Sequence, residues 1–242
     1  MFSAILHSRW FAATVLLLTC FLCFLALLTV PDTAVFSSSV LTQPSVILDA
    51  GHGGMDGGAV AADGSAESHI NLQITRRLAL LMLFLGEEPV MTRTDESDLS
   101  SPDASSIRQQ KVSDLHNRVD LINSADSAVV ISIHQNMLPG HPEVRGAQVF
   151  YNSVPSADSL AAAIQQILNQ SINTKDRAFK PIDSGVYLMK EIRHPAALVE
   201  CGFLSNPKEA AQLGSAPYQK QLAAAIAAGY LQYQTKEGSY EK

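Results

Sequence analysis

The chain has 242 residues, 47% hydrophobic and 17% charged, which suits one globular domain of ordinary size plus a membrane segment. Its formal net charge of -6 argues against a nucleic-acid binder, which needs a basic face. No charge run, low-complexity tract or internal repeat stands out.

Phe11 to Val30 carries no charged residue, and a run of about twenty apolar residues matches the hydrocarbon thickness of a bilayer. Arg9 before it and Asp32 after it place the N-terminus in the cytoplasm and the remainder outside. The run is long for a secretory peptide and is expected to be an uncleaved signal anchor. The competing readings are a cleaved peptide ending near Asp32-Thr-Ala34 and a buried core helix, the latter opposed by terminal position and lack of amphipathicity. The expected organisation is a cytoplasmic stub at 1–10, a transmembrane helix at 11–30, a linker at 31–44, one globular domain at 45–235 and a tail at 236–242. Cys20 and Cys23 fall inside the apolar run, and the resemblance of Leu17-Leu-Thr-Cys20 to a lipoprotein signal is weak. Cys201 is then the one cysteine of the globular part, so no disulfide framework forms within it.

From Ser45 onward, short β-branched runs alternate with amphipathic ones. Val46 to Asp49 reads as a strand. Ile70 to Leu85 reads as a helix, with Ile70, Ile74, Leu78, Leu81, Met82 and Leu85 on one face and Gly86 ending it. Pro89 to Thr92 is a second strand and Asp95 to Ser106 a surface loop. Val112, Leu115, Val119 and Ile122 mark a helix, Ala128 to Ile133 a central strand, and Ala147 to Tyr151 another strand. Leu160, Ile164, Ile167 and Leu168 mark a further helix. Val186 to Met189 and Ala197 to Val199 read as short strands, and Tyr218 to Tyr233 as the last helix. The alternation predicts an α/β fold: a single domain with a central, mostly parallel or mixed sheet, helices on both faces, preceded by the N-terminal transmembrane helix.

In such sheets, sites form beyond the carboxyl ends of the strands. Three strand exits carry candidate groups: Gly51-His52-Gly53-Gly54, His134-Gln135-Asn136 and Glu200-Cys201-Gly202. Glu67 precedes the helix that starts near His69, and the loop behind it can fold it over the strand ends. Two imidazoles, one carboxylate and an open fourth position suit a catalytic Zn2+ rather than Ca2+ or Mg2+. The remaining carboxylate is what hydrolysis needs, to take a proton from the attacking water and hand it to the leaving amine. Each group also has a plain reading. A strand-end histidine is commonly a hydrogen-bonded core residue, and Glu67 suits a helix start through the dipole. Glu200, directly after Ala-Ala-Leu-Val, is part buried and needs a partner.

Four ordered stretches carry a family resemblance: Leu48-Asp-Ala-Gly-His-Gly-Gly54, Glu67-Ser-His-Ile-Asn-Leu72, Ser132-Ile-His-Gln-Asn136 and Val199-Glu-Cys-Gly-Phe-Leu-Ser-Asn206. The chain resembles the zinc-dependent N-acetylmuramoyl-L-alanine amidases of the amidase-3 group from about Ser45 to Tyr233. Within them it is most similar to the germination-specific, spore-cortex subgroup. Met91-Thr-Arg-Thr94 and Arg118 to Asn123 look like structural stretches of the family. The resemblance implies that His52, Glu67 and His134 bind zinc and that Glu200 is the catalytic carboxylate. It implies cleavage of the amide between muramic acid and L-alanine in peptidoglycan, so that a deacetylase can then form the muramic δ-lactam of cortex. It further implies an endospore former, an extracytoplasmic, membrane-anchored location such as the forespore intermembrane space, and an activating protein partner. The domain at 45–235 is then the amidase catalytic domain.

Gln135 departs from the small residue often seen after the second histidine and is expected to line the cleft. The glycines around His52 are expected to keep bulk away from the ion for a thick glycan substrate. Only Met137 to Gly146 separates the second histidine motif from the next strand, too short for a site-blocking helix. Of the other histidines, His69 is the alternative ligand to Glu67, His116 is expected to be solvated, His141 could touch substrate, and His194 sits in a turn. Rival functions are a zinc peptidase acting on the stem peptide and an inactive peptidoglycan-binding scaffold.

Overall fold

The computed structural model describes residues 45–240, and the expected membrane segment at 11–30 lies outside them. Among the described residues no helix is long and apolar enough to cross a membrane. Six strands form one mixed sheet: β1 (Ser45–Ala50), β2 (Val90–Met91), β3 (Ala128–Asn136), β4 (Gln148–Tyr151), β5 (Lys180–Pro181) and β6 (Ala196–Phe203), in the spatial order β2-β1-β3-β6-β4-β5. β2, β1, β3 and β6 run parallel, whereas β4 is antiparallel to β6 and carries β5 parallel to itself. Six helices cover it: α1 (Glu67–Phe84), α2 (Ile107–Asn123), α3 (Ala157–Ser171), α4 (Tyr187–Glu191), α5 (Pro207–Leu213) and α6 (Ala216–Tyr240).

The alternation of side chains along each strand divides the core into two clusters. Val46, Leu48, Ile131, Ile133, Val199 and Cys201 pack against α1, α3 and α6 on one face. Ile47, Val130, Ala196 and Leu198 meet Val119 and Ile122 of α2 and Leu188 and Met189 of α4 on the other. β1, β3 and β6 are buried on both faces, which is why they read as near-continuous apolar runs.

Several elements differ from the expected ones. β3 continues through Asn136 and β6 through Phe203, so His134 and Glu200 lie inside strands as directly paired residues rather than beyond the strand ends. A register shift follows at once, between His134 and Asn136, and loosens the ladder beside the site. Of the stretch read as a strand at 186–189, residues 187–189 belong instead to helix α4 and Val186 is the residue before it; Gly185 and Val186 bond back to Asp183, turning the chain, and Leu188 and Met189 then anchor the short helix in the second cluster. α6 continues through Tyr240, so residues 236–240 are helical. Helix α5 was not foreseen; its signal is Asn206-Pro207, where the Asn206 side chain accepts from the amides of Lys208 and Glu209 and proline stands in the first turn.

Beneath the carboxyl ends of the strands lies a buried ion network. Arg118, 1% exposed, donates to Asp49 Oδ1 at 2.7 Å and to Asp114 Oδ2 at 2.9 Å. Asp49 also accepts from Ser132 and Thr92. Burial would raise the Asp49 carboxyl, but Arg118 and the two hydroxyls outweigh it and hold the carboxyl down at about 2. A depressed carboxylate stabilises the fold fully above its usual value of 3.8, and this contribution is lost as pH falls toward 2.

Candidate metal centre

Two arginines shape the loop after β1. Arg118 donates to the carbonyls of Ala50 at 2.8 Å and His52 at 2.7 Å. Arg93 donates to those of Ala50, Gly51 and Ser68. These bonds hold His52 in the left-handed region at φ 61, an uncommon conformation for a residue with a side chain. Both arginines belong to the stretches read as structural, and their work is to take up the carbonyls of this loop.

The loop then brings three groups together. His52 Nε2 lies 3.3 Å from Glu67 Oε1, and His134 Nδ1 lies 3.1 Å from the same oxygen. The two imidazole rings stand edge-on, 5.0 Å apart. One donor atom from each of His52, Glu67 and His134 falls within 4.8 Å of the others, a group that could hold a metal ion. Glu67 is the first residue of α1 rather than a residue ahead of it, and it is nearly fully buried. Its Oε2 accepts from the amide of Ala59 and its Oε1 from that of Gln135, so the carboxylate cannot swing away.

The electrostatics fit a cation. Burial would raise Glu67, but the flanking imidazoles outweigh it and hold the carboxyl well below the usual carboxylate range. Burial would lower His52, yet Glu67 and Asp56 carry its imidazole up to about 9.

Asp56 was not foreseen. Its Oδ2 accepts from His52 Nδ1 at 3.0 Å, and its Oδ1 pairs with Lys111 at 2.8 Å. A carboxylate on the far nitrogen of a ligating imidazole fixes tautomer and ring orientation. No sequence pattern announces it, because the contact depends on the loop turning back between Gly53 and Asp56, where the two backbones bond to each other.

Glu200 stands directly beside His134 in the parallel β3–β6 register. Its Oε2 is buried without a hydrogen-bond partner, and burial pushes the carboxyl up to about 7. A carboxyl near neutrality beside three prospective ligands is suited to accepting and returning a proton.

The glycines work differently from the expectation. A Cβ at Gly51 would lie 2.3 Å from the His134 ring, and one at Gly58 would lie 2.5 Å from Glu67 Oε2 and 2.8 Å from the His52 ring. The space is taken by the His134, Glu67 and His52 side chains rather than left for substrate. Gly51→Ala is expected to give a folded protein in which His134 is displaced, with its backbone and ring resonances shifted from the parent's by NMR.

Gln135 does not line the cleft. Strand alternation turns it away from His134 into the α1 side, where it is buried and donates to Asn71 Oδ1 at 3.1 Å. His69 is no alternative ligand; it is exposed and pairs with Glu96 at 2.8 Å. His141 is exposed beside Glu143. His116, expected to be solvated, is exposed but lies flat against Tyr187. Residues 137–146 hold turns and no helix, and Gly146 is tied down by the buried Glu209.

The family model described as N-acetylmuramoyl-L-alanine amidase matches residues 46–232, and within that span lie all four of His52, Glu67, His134 and Glu200. The chain belongs to this amidase family. It is 36% identical to the germination-specific N-acetylmuramoyl-L-alanine amidase of Bacillus subtilis (strain 168), over 82% of this chain and 83% of that one. The solved CwlD amidase from Clostridioides difficile, in complex with the GerS lipoprotein, superposes with a TM-score of 0.76 at 37% identity, over 80% of this chain and 99% of that one. The amidase AmiC2 of Nostoc punctiforme superposes at 0.68 with 28% identity, over 79% and 97%. The resemblance to the germination-specific group therefore holds, and the chain is an N-acetylmuramoyl-L-alanine amidase whose substrate is peptidoglycan.

Proposed function

We propose that this amidase is zinc-dependent and serves the maturation of spore cortex, releasing stem peptides so that muramic δ-lactam can form. The observation that carries the zinc reading is the convergence of His52, Glu67 and His134 within 4.8 Å, with the unpartnered Glu200 carboxylate one strand away. Two imidazole nitrogens and one carboxylate oxygen are the donor set of a catalytic zinc site with one position left open. When bound there, zinc supplies Lewis acidity and brings the pKa of water down to about 7.

The chain's own residues do the rest. His52 and His134 present nitrogens and Glu67 an oxygen; Asp56 holds His52 from behind, and the amides of Ala59 and Gln135 hold Glu67. Glu200 takes the proton of the water that attacks the lactyl carbonyl. It returns that proton to the L-alanine nitrogen as the amide bond breaks. Asp56 positions His52, and Asp56→Ala is expected to weaken zinc binding roughly ten- to a hundredfold, read by chelator competition.

The cortex role rests on the similarity to the germination-specific relatives. Residues 11–30 are read as a membrane anchor that holds residues 45–235 outside the cytoplasm, on the strength of their uncharged apolar sequence. An activating protein partner belongs to the same reading, because a solved relative was captured bound to a lipoprotein.

The deciding experiment is mass spectrometry of peptidoglycan digested by the full chain, with and without a zinc chelator. Free stem peptides with intact L-alanine N-termini, lost on chelation and restored by zinc, are the expected result. Cleavage inside the stem peptide would instead identify a zinc peptidase. A protein that never retains zinc and releases nothing would be a binding scaffold.

A further inference from the structure

A cavity of about 290 Å3 adjoins the two imidazoles, and one of its walls is aromatic. Tyr187, the first residue of α4, lines it together with His52, His134, Lys111 and Leu188. The proton transfers assigned above do not use this ring, yet it is 37% exposed. Behind it stands His116 of α2, the two rings stacked 5.2 Å apart with only 17° between their planes. An exposed aromatic held flat from behind, beside the site of bond cleavage, is a prepared surface rather than a packing remnant.

We propose that Tyr187, backed by His116, is a stacking platform for a pyranose ring of the glycan strand, so that amide cleavage is coupled to recognition of the sugar. β-Linked amino sugars in the chair form carry their ring hydrogens axially and present apolar faces edged with weakly positive C–H groups. The negative face of an aromatic ring complements such a surface. The stem peptide is the other part of the substrate, and it is acidic. The cationic side chains lining this cavity are committed: Lys111 is paired with Asp56 at 2.8 Å, Arg118 is buried against two carboxylates, and His52 lies between Asp56 and Glu67. The wall thus offers an apolar ring and no uncommitted positive charge, which favours a sugar over an acidic peptide.

The inference rests on the amidase reading only in taking a glycan as substrate; it does not involve zinc or Glu200. Binding is therefore measured on metal-free full chain, by calorimetry or saturation-transfer NMR, with a peptide-free N-acetylglucosamine tetrasaccharide as probe. The parent is expected to bind it, Tyr187→Ala to bind roughly five- to tenfold more weakly, and Tyr187→Phe to bind like the parent. His116→Ala, which leaves the ring unsupported, is expected to fall between them. With zinc restored, Tyr187→Ala should raise KM on glycan strands by a similar factor with kcat little changed. Tyr187→Phe is the folding control, because it keeps the ring and the packing of α4. Equal affinities for the parent and Tyr187→Ala overturn the platform. So does a loss of affinity for free stem peptide in place of tetrasaccharide, or no tetrasaccharide binding by the parent. Failure of the zinc mechanism leaves the metal-free binding result standing, so the two readings fail separately.

Discussion

Glu200→Gln is expected to abolish muramoyl-peptide hydrolysis while leaving zinc in place, with kcat down by about a hundred- to ten-thousandfold. Glutamine has the shape of glutamate but cannot take a proton at its amide. The bound metal should persist, because the three prospective ligands sit on β3, at the start of α1 and in the loop after β1, not on β6. Stability should not fall and could rise, since Glu200 Oε2 is buried with no partner and its desolvation is uncompensated. Steady-state kinetics, zinc content and thermal melting on one preparation separate the three effects. His52→Ala and His134→Ala are expected to give the contrasting result, loss of both metal and activity. Turnover by Glu200→Gln within tenfold of the parent would remove Glu200 from the mechanism.

Arg118→Met should cost the fold about 3–5 kcal/mol, because it leaves Asp49 and Asp114 buried without their cation. For a domain of this size, that is a drop in melting temperature of roughly 6–20 °C. Zinc affinity should fall too, because the His52 carbonyl loses the Arg118 guanidinium and the Ala50 carbonyl is left to Arg93. Adding Asp49→Asn to Arg118→Met is expected to recover part of the lost stability, since the amide carries no charge to bury. If the double variant melts below the single one, the damage comes from lost packing and not from a stranded charge.

The convergence of His52, Glu67, His134 and Glu200 was legible because each element carried a short, strongly patterned motif. His52 follows a buried β-branched run, Glu67 opens an amphipathic helix, and His134 and Glu200 sit in runs too apolar to be anything but central strands. What was not legible depends on three-dimensional return. Asp56 meets His52 only because residue 52 adopts a left-handed turn held by arginines from α2 and from the loop after β2. Gln135 seemed to belong to the cleft because it follows His134, yet strand alternation sends neighbours to opposite faces. The 186–189 segment has β-branched and aromatic residues and is too short for a helical period to show, so its helix is decided by the Asp183 turn and by the pocket that receives Leu188 and Met189. Lys111 and Asp114, three apart on α2, bind different loops, and nothing local distinguishes them from ordinary surface charges.

The short span at 137–146 carries a consequence for biological control. Residues 137–146 form turns and no helix, so this span is not a plug that must be withdrawn before substrate reaches the cleft. An activating partner of the kind proposed would then act by some means other than withdrawing residues 137–146.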